Sequence, residues 1–346
     1  MKSAESVRSR IAEHYRSAIR RGVLAPGAAL PSARTLAAEW NTAESNVHSA
    51  IASLAREGLV TRRPRAGTVV CDGANELRSV AIFLDWFHTQ RGEQFTRILV
   101  EILESEFAAR GVGCRVLYDT PGGAGLRELA SLASSRRIQG VIARNLAPER
   151  FDFFSKLPVP FSALSMMRIP NRVGLLSGEM ARTMADALAG CRRIGMLLPH
   201  GYREFCTQCT AAAAKRGMEL RPEWILTAAE CGEPDPDGAG YAYRAMERLW
   251  RMSAEARPDG VMVFADDLVG GIAMAQCRWH FRIPEDFRLA IHTTSENPVI
   301  FPFECTLVEQ SIRQIASLLI GQLCDLRAGV APRPGHLTVT SRKFRL

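Results

Sequence analysis

The sequence predicts an α/β chain in two unequal parts: a small helical unit closed by a two-stranded hairpin, then a larger region of parallel strands flanked by helices. Three observations predict it. Apolar residues recur at helical spacing as far as Leu54 and then give way to β-rich runs. From Val80 onward, short apolar runs alternate with amphipathic stretches, the rhythm of strand, helix, strand. The charge is uneven: of a net +8, residues 1–75 carry +5. A small basic segment ahead of a near-neutral one is the electrostatic footprint of a nucleic-acid-binding unit fused to something else.

The elements follow in order. Val7, Ile11, Tyr15, Ala18 and Ile19 make the inner stripe of a first helix over 6–21, which Gly22 stops. Pro26 and Gly27 make a turn, Ser32 caps a second helix, and Leu36 and Trp40 mark its buried face. Asn41 and Thr42 are placed to cap a third helix, whose Val47, Ala50, Ile51 and Leu54 face inward until Gly58 ends it. Residues 59–63 and 68–70 read as two strands joined through Pro64, Arg65, Ala66 and Gly67. Three short helices and a hairpin in this order form a winged helix-turn-helix. The second helix braces on the sugar-phosphate backbone, the first turn of the third enters the major groove, and the wing reaches the neighbouring minor groove.

Beyond a polar link over 72–78, strands are predicted at 80–85, 114–118, 138–143, 161–164, 193–198, 260–264 and 288–291, with a helix over 93–110 and helical patterns between most of the rest. Sheets of this kind bind ligands outside the carboxyl ends of their strands.

With 47% apolar and 23% charged residues, the chain is expected to fold throughout. No apolar run approaches the ~18 residues of a membrane span, and the first residues are charged where a signal peptide carries its apolar stretch. A cytoplasmic protein is the expectation, with its nine cysteines reduced. Cys206 and Cys209 have the spacing of half a zinc site without a second pair, and Gly122 to Gly125 lacks the lysine of a phosphate loop. No Gly-x-Ser-x-Gly or His-Glu-x-x-His signature is present, and neither catalysis nor a metal nor another cofactor is expected.

Residues 8–70 resemble the GntR family of bacterial regulators. The carrying residues are Gly22-Val-Leu-Ala-Pro-Gly27, Leu30-Pro-Ser-Ala-Arg34, Leu36, Val47, Ala50, Leu54, Glu57-Gly-Leu-Val60 and Gly67-Thr-Val-Val70. The resemblance implies that Arg34 contacts DNA from helix two, that the start of helix three reads bases, and that Gly67 lets the wing approach the minor groove. Candidate DNA contacts are Ser32, Arg34, Thr42, Glu44, Ser45, Asn46, His48, Arg62, Arg63, Arg65 and Gly67. The chain departs from the family at Glu44 and His48, where arginine is usual.

Residues 78–346 resemble the sensing domain of the LacI family, whose fold is shared with periplasmic sugar-binding proteins. The resemblance rests on Ile138-Gln-Gly-Val-Ile142, Cys191-Arg-Arg-Ile-Gly195, the run from Arg257 to Asp267, Ile283-Pro-Glu-Asp286 and Thr306-Leu-Val-Glu-Gln310. It implies a two-lobed periplasmic-binding-protein-like domain that dimerises through its lobe faces and holds a small molecule, with a sugar as the candidate, between lobes joined near Leu175, Thr294 and Val308. Lobe one would take 79–175 and 295–308; lobe two would take 176–294 and 309–346. Candidate ligand residues are Phe87, His88, Arg91, Phe95, Arg144, Asn145, Arg203, Asp267, Thr293 and Thr294; Asp267 is equally placed to cap the next helix. Thr293 stands where the family commonly has aspartate. The whole implies a repressor that binds a double-stranded operator as a homodimer under effector control. Two other readings stay open: a regulator that has lost its ligand and works through a protein partner, and an α/β enzyme fused to a DNA-binding unit.

Overall fold

The computed structural model describes residues 6–345 apart from 64–65, 72–76, 86–93, 145, 147, 166–168, 170, 199–201, 229–230, 232–237 and 332–336. By contact the chain divides into two units. One comprises Met1–Gly92, Val100–Val173 and Ile315–His336; the other comprises Glu93–Leu99, Gly174–Gln314 and Leu337–Leu346.

The first unit begins with three helices, α1 (Val7–Arg20), α2 (Ala33–Glu39) and α3 (Glu44–Arg56), and an antiparallel pair, β1 (Val60–Arg63) and β2 (Gly67–Val70). Ile11, Ile19, Leu36, Val47, Leu54, Leu59 and Val70 meet in one core without solvent exposure. The helical stripes read from the sequence are the faces that pack. Ser32 caps α2, accepting from the Thr35 amide at 3.1 Å. The expected cap of α3 is corrected: its N-cap is Ala43, with no side-chain bond, and Thr42 Oγ1 instead accepts from the Asn46 side chain at 2.8 Å. Residues 28–30, beyond the Pro26-Gly27 turn, bridge to the wing, where Leu30 donates to the Thr68 carbonyl and Val70 to that of Ala28, each at 2.8 Å.

The same unit holds a five-stranded parallel sheet in the order β4 (Gly113–Tyr118), β3 (Ser79–Leu84), β5 (Gly140–Arg144), β6 (Phe161–Leu164) and β7 (Arg172–Val173). Phe83, Val141, Ala143 and Phe161 from its strands pack with Leu129 and Leu132 of α5 (Ala124–Ser134) and Phe154 of α6 (Pro148–Ser155). The helix α4 (Gln94–Ala109) connects β3 to β4.

The second unit holds a six-stranded sheet, ordered β13 (Thr340–Phe344), β12 (Cys305–Gln310), β11 (Arg288–Thr294), β10 (Gly260–Val263), β8 (Ile194–Leu197) and β9 (Ile225–Leu226); all pairs are parallel except β12 with β13. Both faces are covered. Val261, Val263, Leu289, Ile291 and Leu307 join the core of α9 (Ala239–Trp250) and α10 (Val269–Trp279), while Ile194, Met196, Met262, Ala290 and Val308 join that of α7 (Gly178–Ala187) and α8 (Arg203–Ala214). Burial on alternate faces is why these strands read as continuous apolar runs.

The expected lobe assignment needs correction at its end. Residues 305–310 pair with β11 along β12, from Ala290 opposite Thr306 to Thr294 opposite Gln310, and so belong to the second unit. Residues 315–336 belong instead to the first. The cause lies in α11 (Ile312–Arg327): its buried Gln322 accepts from Ser162 of β6 and donates to the Arg172 carbonyl of β7, both at 2.9 Å. Among the described residues, no helix is long and apolar enough to cross a membrane.

Candidate DNA-reading and effector sites

On the first unit, Arg34, Glu44, Ser45, His48, Arg62, Arg63 and Gly67 are all exposed, on α2, the first turns of α3 and the wing. The register sets Arg63 opposite Gly67 and Arg62 opposite Thr68. Gly67 has φ +75°, and no atom lies within 4 Å of where a Cβ would stand, so glycine serves the turn's backbone and leaves the wing tip open for close approach. Ser32 and Thr42 spend their hydroxyls locally, on the α2 cap and on Asn46, which gives them a part in shaping the surface. Arg65 lies outside the described residues. Glu44 sits in the first turn of α3, where the helix dipole favours an anion.

The strand ends of the first unit's larger sheet carry charge that the sequence reading passed over. Asp85 follows β3 and Asp119 follows β4, both buried, and Arg150 of α6 stands 2.5 Å from Asp119. That pair is an ion contact rather than an aligned hydrogen bond. Arg144 ends β5 and is half-buried. Phe95 is half-buried in the first turn of α4. Phe87, His88, Arg91 and Asn145 lie outside the described residues.

In the second unit the doublet Asp266-Asp267 divides into a buried and an exposed carboxylate. Asp267 is exposed and does not cap α10, whose N-cap is Leu268 without a side-chain bond. Asp266 is the buried member of the doublet. Its Oδ2 accepts from Thr293 Oγ1 at 2.6 Å and from Asn297 Nδ2 at 3.1 Å, while Oδ1 accepts from nothing among the described residues. The Asp266-Asp267 pair offered two equivalent choices in sequence, and only the fold separates them. Thr294, equally buried, ends β11. Arg203 stands exposed at the first residue of α8, and the structure gives it no bond to Asp266.

His292, on β11 next to Thr293, is buried. Its Nε2 is 3.2 Å from Gln310 Oε1. Gln310 donates its amide nitrogen to the Leu175 carbonyl at 3.1 Å, which turns its oxygen toward the ring and leaves His292 Nε2 as the donor. Burial pushes the His292 pKa down, against the opposing pull of Asp266 and Gln310, so the ring is held neutral. Beyond Asn297's neighbour the same turn is anchored by Glu296, which accepts from Ser311 Oγ and the Ile312 amide at 2.7 Å and from the Arg313 amide at 3.2 Å. Burial raises the Glu296 pKa, but these hydrogen bonds outweigh it and hold the carboxyl below its usual range. A buried carboxylate with one oxygen saturated and the other open, beside threonine and asparagine, is suited to accept hydroxyl hydrogens from a small polar molecule.

Comparison with known proteins finds matches in both the N-terminal and the C-terminal parts of the chain. Residues 7–70 match the profile of the bacterial regulatory proteins of the gntR family, and residues 186–345 match that of the periplasmic binding protein-like domain. The fold is similar to that of a LacI family transcriptional regulator from Lactobacillus casei with bound glucose (16% identity, 76% of this chain and 98% of that one, TM-score 0.55). It is similar to the Escherichia coli transcriptional repressor ascG (15%, 78% and 97%, 0.54). A transcriptional regulator CelR in complex with cellobiose matches over 91% of this chain and 99% of its own, at 15% identity and TM-score 0.59. A sequence comparison with curated proteins finds no match. The chain thus joins a helix-turn-helix domain of the gntR family of bacterial regulators to a periplasmic-binding-protein-like domain with the fold of LacI-family regulators.

Proposed function

We propose that this chain is a cytoplasmic, homodimeric transcription repressor whose grip on double-stranded DNA is controlled by a small polyhydroxylated molecule, a sugar, bound at the strand ends of its second domain. The observation that carries the effector reading is Asp266, with Oδ2 fixed by Thr293 and Asn297 and Oδ1 open. Two solved structures of similar fold hold sugars, glucose in one and cellobiose in the other, which supports a sugar as the effector. The repressor ascG supports the sign of control. DNA reading falls to the exposed Arg34, Glu44, Ser45, His48, Arg62, Arg63 and Gly67. Ligand acts by shifting a population between states that hold the two readers differently, with no bond made or broken in the ligand.

The test is a thermal-shift screen of the full chain against mono- and disaccharides, followed by duplex binding with and without the hit. A true effector raises the melting temperature in proportion to its occupancy. It also changes the affinity for the duplex. A panel without a single shift refutes the sugar reading, and a hit that leaves DNA affinity unchanged refutes control.

A further inference from the structure

The turn that follows α5, residues 135–139, touches both the end of the recognition helix and the start of β3. Arg136 Nε donates to the carbonyl of Arg56, the last residue of α3, at 3.0 Å. Its aliphatic stem runs past Gly58, where a Cβ would stand 3.2 Å from Arg136 Cδ. Arg136 itself holds φ +61°, the left-handed residue that closes α5, where the Arg137 amide donates back to the Leu132 carbonyl at 2.9 Å. Gln139 Nε2 donates to the Arg136 carbonyl at 3.0 Å. The oxygen of the same Gln139 amide accepts from the backbone amides of Arg78 at 3.0 Å and Ser79 at 2.8 Å. One continuous series of hydrogen bonds therefore runs from the end of α3, through Arg136 and Gln139, to the first residues of β3.

The chemistry at the α3 terminus favours this partner. The last carbonyls of a helix lack intrahelical donors and carry the negative end of its dipole, so a guanidinium there is doubly matched. The neighbouring carboxylate does not compete for it. Glu57 is engaged by Arg16 of α1, Nε to Oε2 at 2.7 Å and Nη2 to Oε1 at 2.6 Å. Beside this seam, Arg16 and Glu57 line one cavity together with Phe154, Leu157, Pro160 and Leu326 of the larger sheet's flank, so the approach involves apolar surface as well as the arginine.

From this geometry we infer that the 135–139 turn is a docking surface for the DNA reader of the same chain, and that Arg136 is the positioning residue that holds α3 from behind. The base-reading turn of α3 lies at its other end, roughly 18 Å away at ~1.5 Å per residue. Docking therefore leaves the DNA face free and fixes its direction. The reader moves with the sheet that carries Arg136 and does not swing on the segment that joins them.

The experiment is backbone amide relaxation of the full isotope-labelled chain, wild type against Arg136→Ala. In the wild type, amides of 7–70 relax as those of 79–173 do. In the variant their transverse relaxation slows by roughly twofold or more, as for a small body on a flexible tether. Affinity of both proteins for a mixed-sequence duplex of about 40 base pairs at low salt stays within about threefold, since Arg136 is remote from the DNA face. Independent tumbling of the wild-type reader, or unchanged relaxation in the variant, overturns the inference. A loss of duplex affinity of about tenfold or more also overturns it, by making Arg136 a phosphate ligand. Should Arg136→Ala fail to fold, Arg136→Gly accepts the positive φ without strain and is read in the same way. The relaxation readout does not depend on any effector, so its failure is separate from failure of the proposed function.

Discussion

Asp266 and Thr293 are joined across neighbouring strands by a 2.6 Å hydrogen bond, with the threonine hydroxyl donating to the carboxylate. On the proposed function, Asp266, in the turn after β10, takes the part of the carboxylate that the LacI resemblance places at position 293, and Thr293 orients it. Hydrogen bonds to a charged group are worth ~1.5–3 kcal/mol each. Asp266→Asn is expected to weaken sugar binding by roughly ten- to a hundredfold with the fold intact, read as loss of the thermal shift and by calorimetric titration. Unaltered sugar affinity in that variant would remove Asp266 from the site.

The neutral His292 sets a pH dependence of stability. Its folded pKa lies below the usual 6.5, so below about pH 6.5 the unfolded chain takes up a proton that the folded chain does not. Stability therefore falls as pH drops through that value, by at most ~1.4 kcal/mol per pH unit from this one group. Denaturant unfolding between about pH 7.5 and about pH 5.5 checks it: the wild type loses more stability over the interval than His292→Asn, and equal losses in the two proteins contradict the assignment.

Glu296 caps α11 from outside the helix, through Ser311 and two backbone amides. Glu296→Ala leaves those donors without the carboxylate and is expected to cost ~1–2 kcal/mol. Because the folded pKa is lowered, the wild-type advantage is complete above the ordinary carboxylate range and disappears as pH falls through the folded value. Unfolding curves of the pair at neutral and acid pH should converge at acid pH; a constant gap contradicts the capping role.

On the proposed function, Glu44 and Arg34 are expected to act in opposite senses on DNA. Both are exposed. Arg34→Ala is expected to weaken binding to every duplex alike and to lower the salt slope by about one. Glu44→Gln removes a charge that repels phosphates and is expected to strengthen binding to mixed sequence while relaxing preference at one base pair. Competition binding with duplex libraries separates the two effects.

The first 70 residues were legible in the sequence because their helices and hairpin have local signatures: helical stripes, glycines after α1 and α3, then a change of period at Leu59. The isolated bridge from Ala29 to Val69 had no such signature, being too short for alternation to register. In the larger region, strands buried on both faces announced themselves as apolar runs. β13 did not, because Thr340 to Lys343 are exposed on an edge strand and only its pairing with β12 defines it. The placement of 295–308 and of 315–336 differs from the expectation because it depends on tertiary pairing: β12 lies beside β11, and α11 meets the first unit's sheet through Gln322, Ser162 and Arg172. At the Asp266-Asp267 doublet the sequence does not say which carboxyl is buried; that depends on Thr293 and Asn297, which meet Asp266 only in space.

The central claim is that the basic front of this chain lies against a duplex. Its most direct test is the affinity of the full protein for double-stranded DNA as a function of salt. Displacement of counterions by several arginines predicts a straight fall of log affinity with log salt, with a slope of about −0.9 for each phosphate neutralised. Affinity indifferent to salt, or no binding to any duplex at low salt, contradicts it.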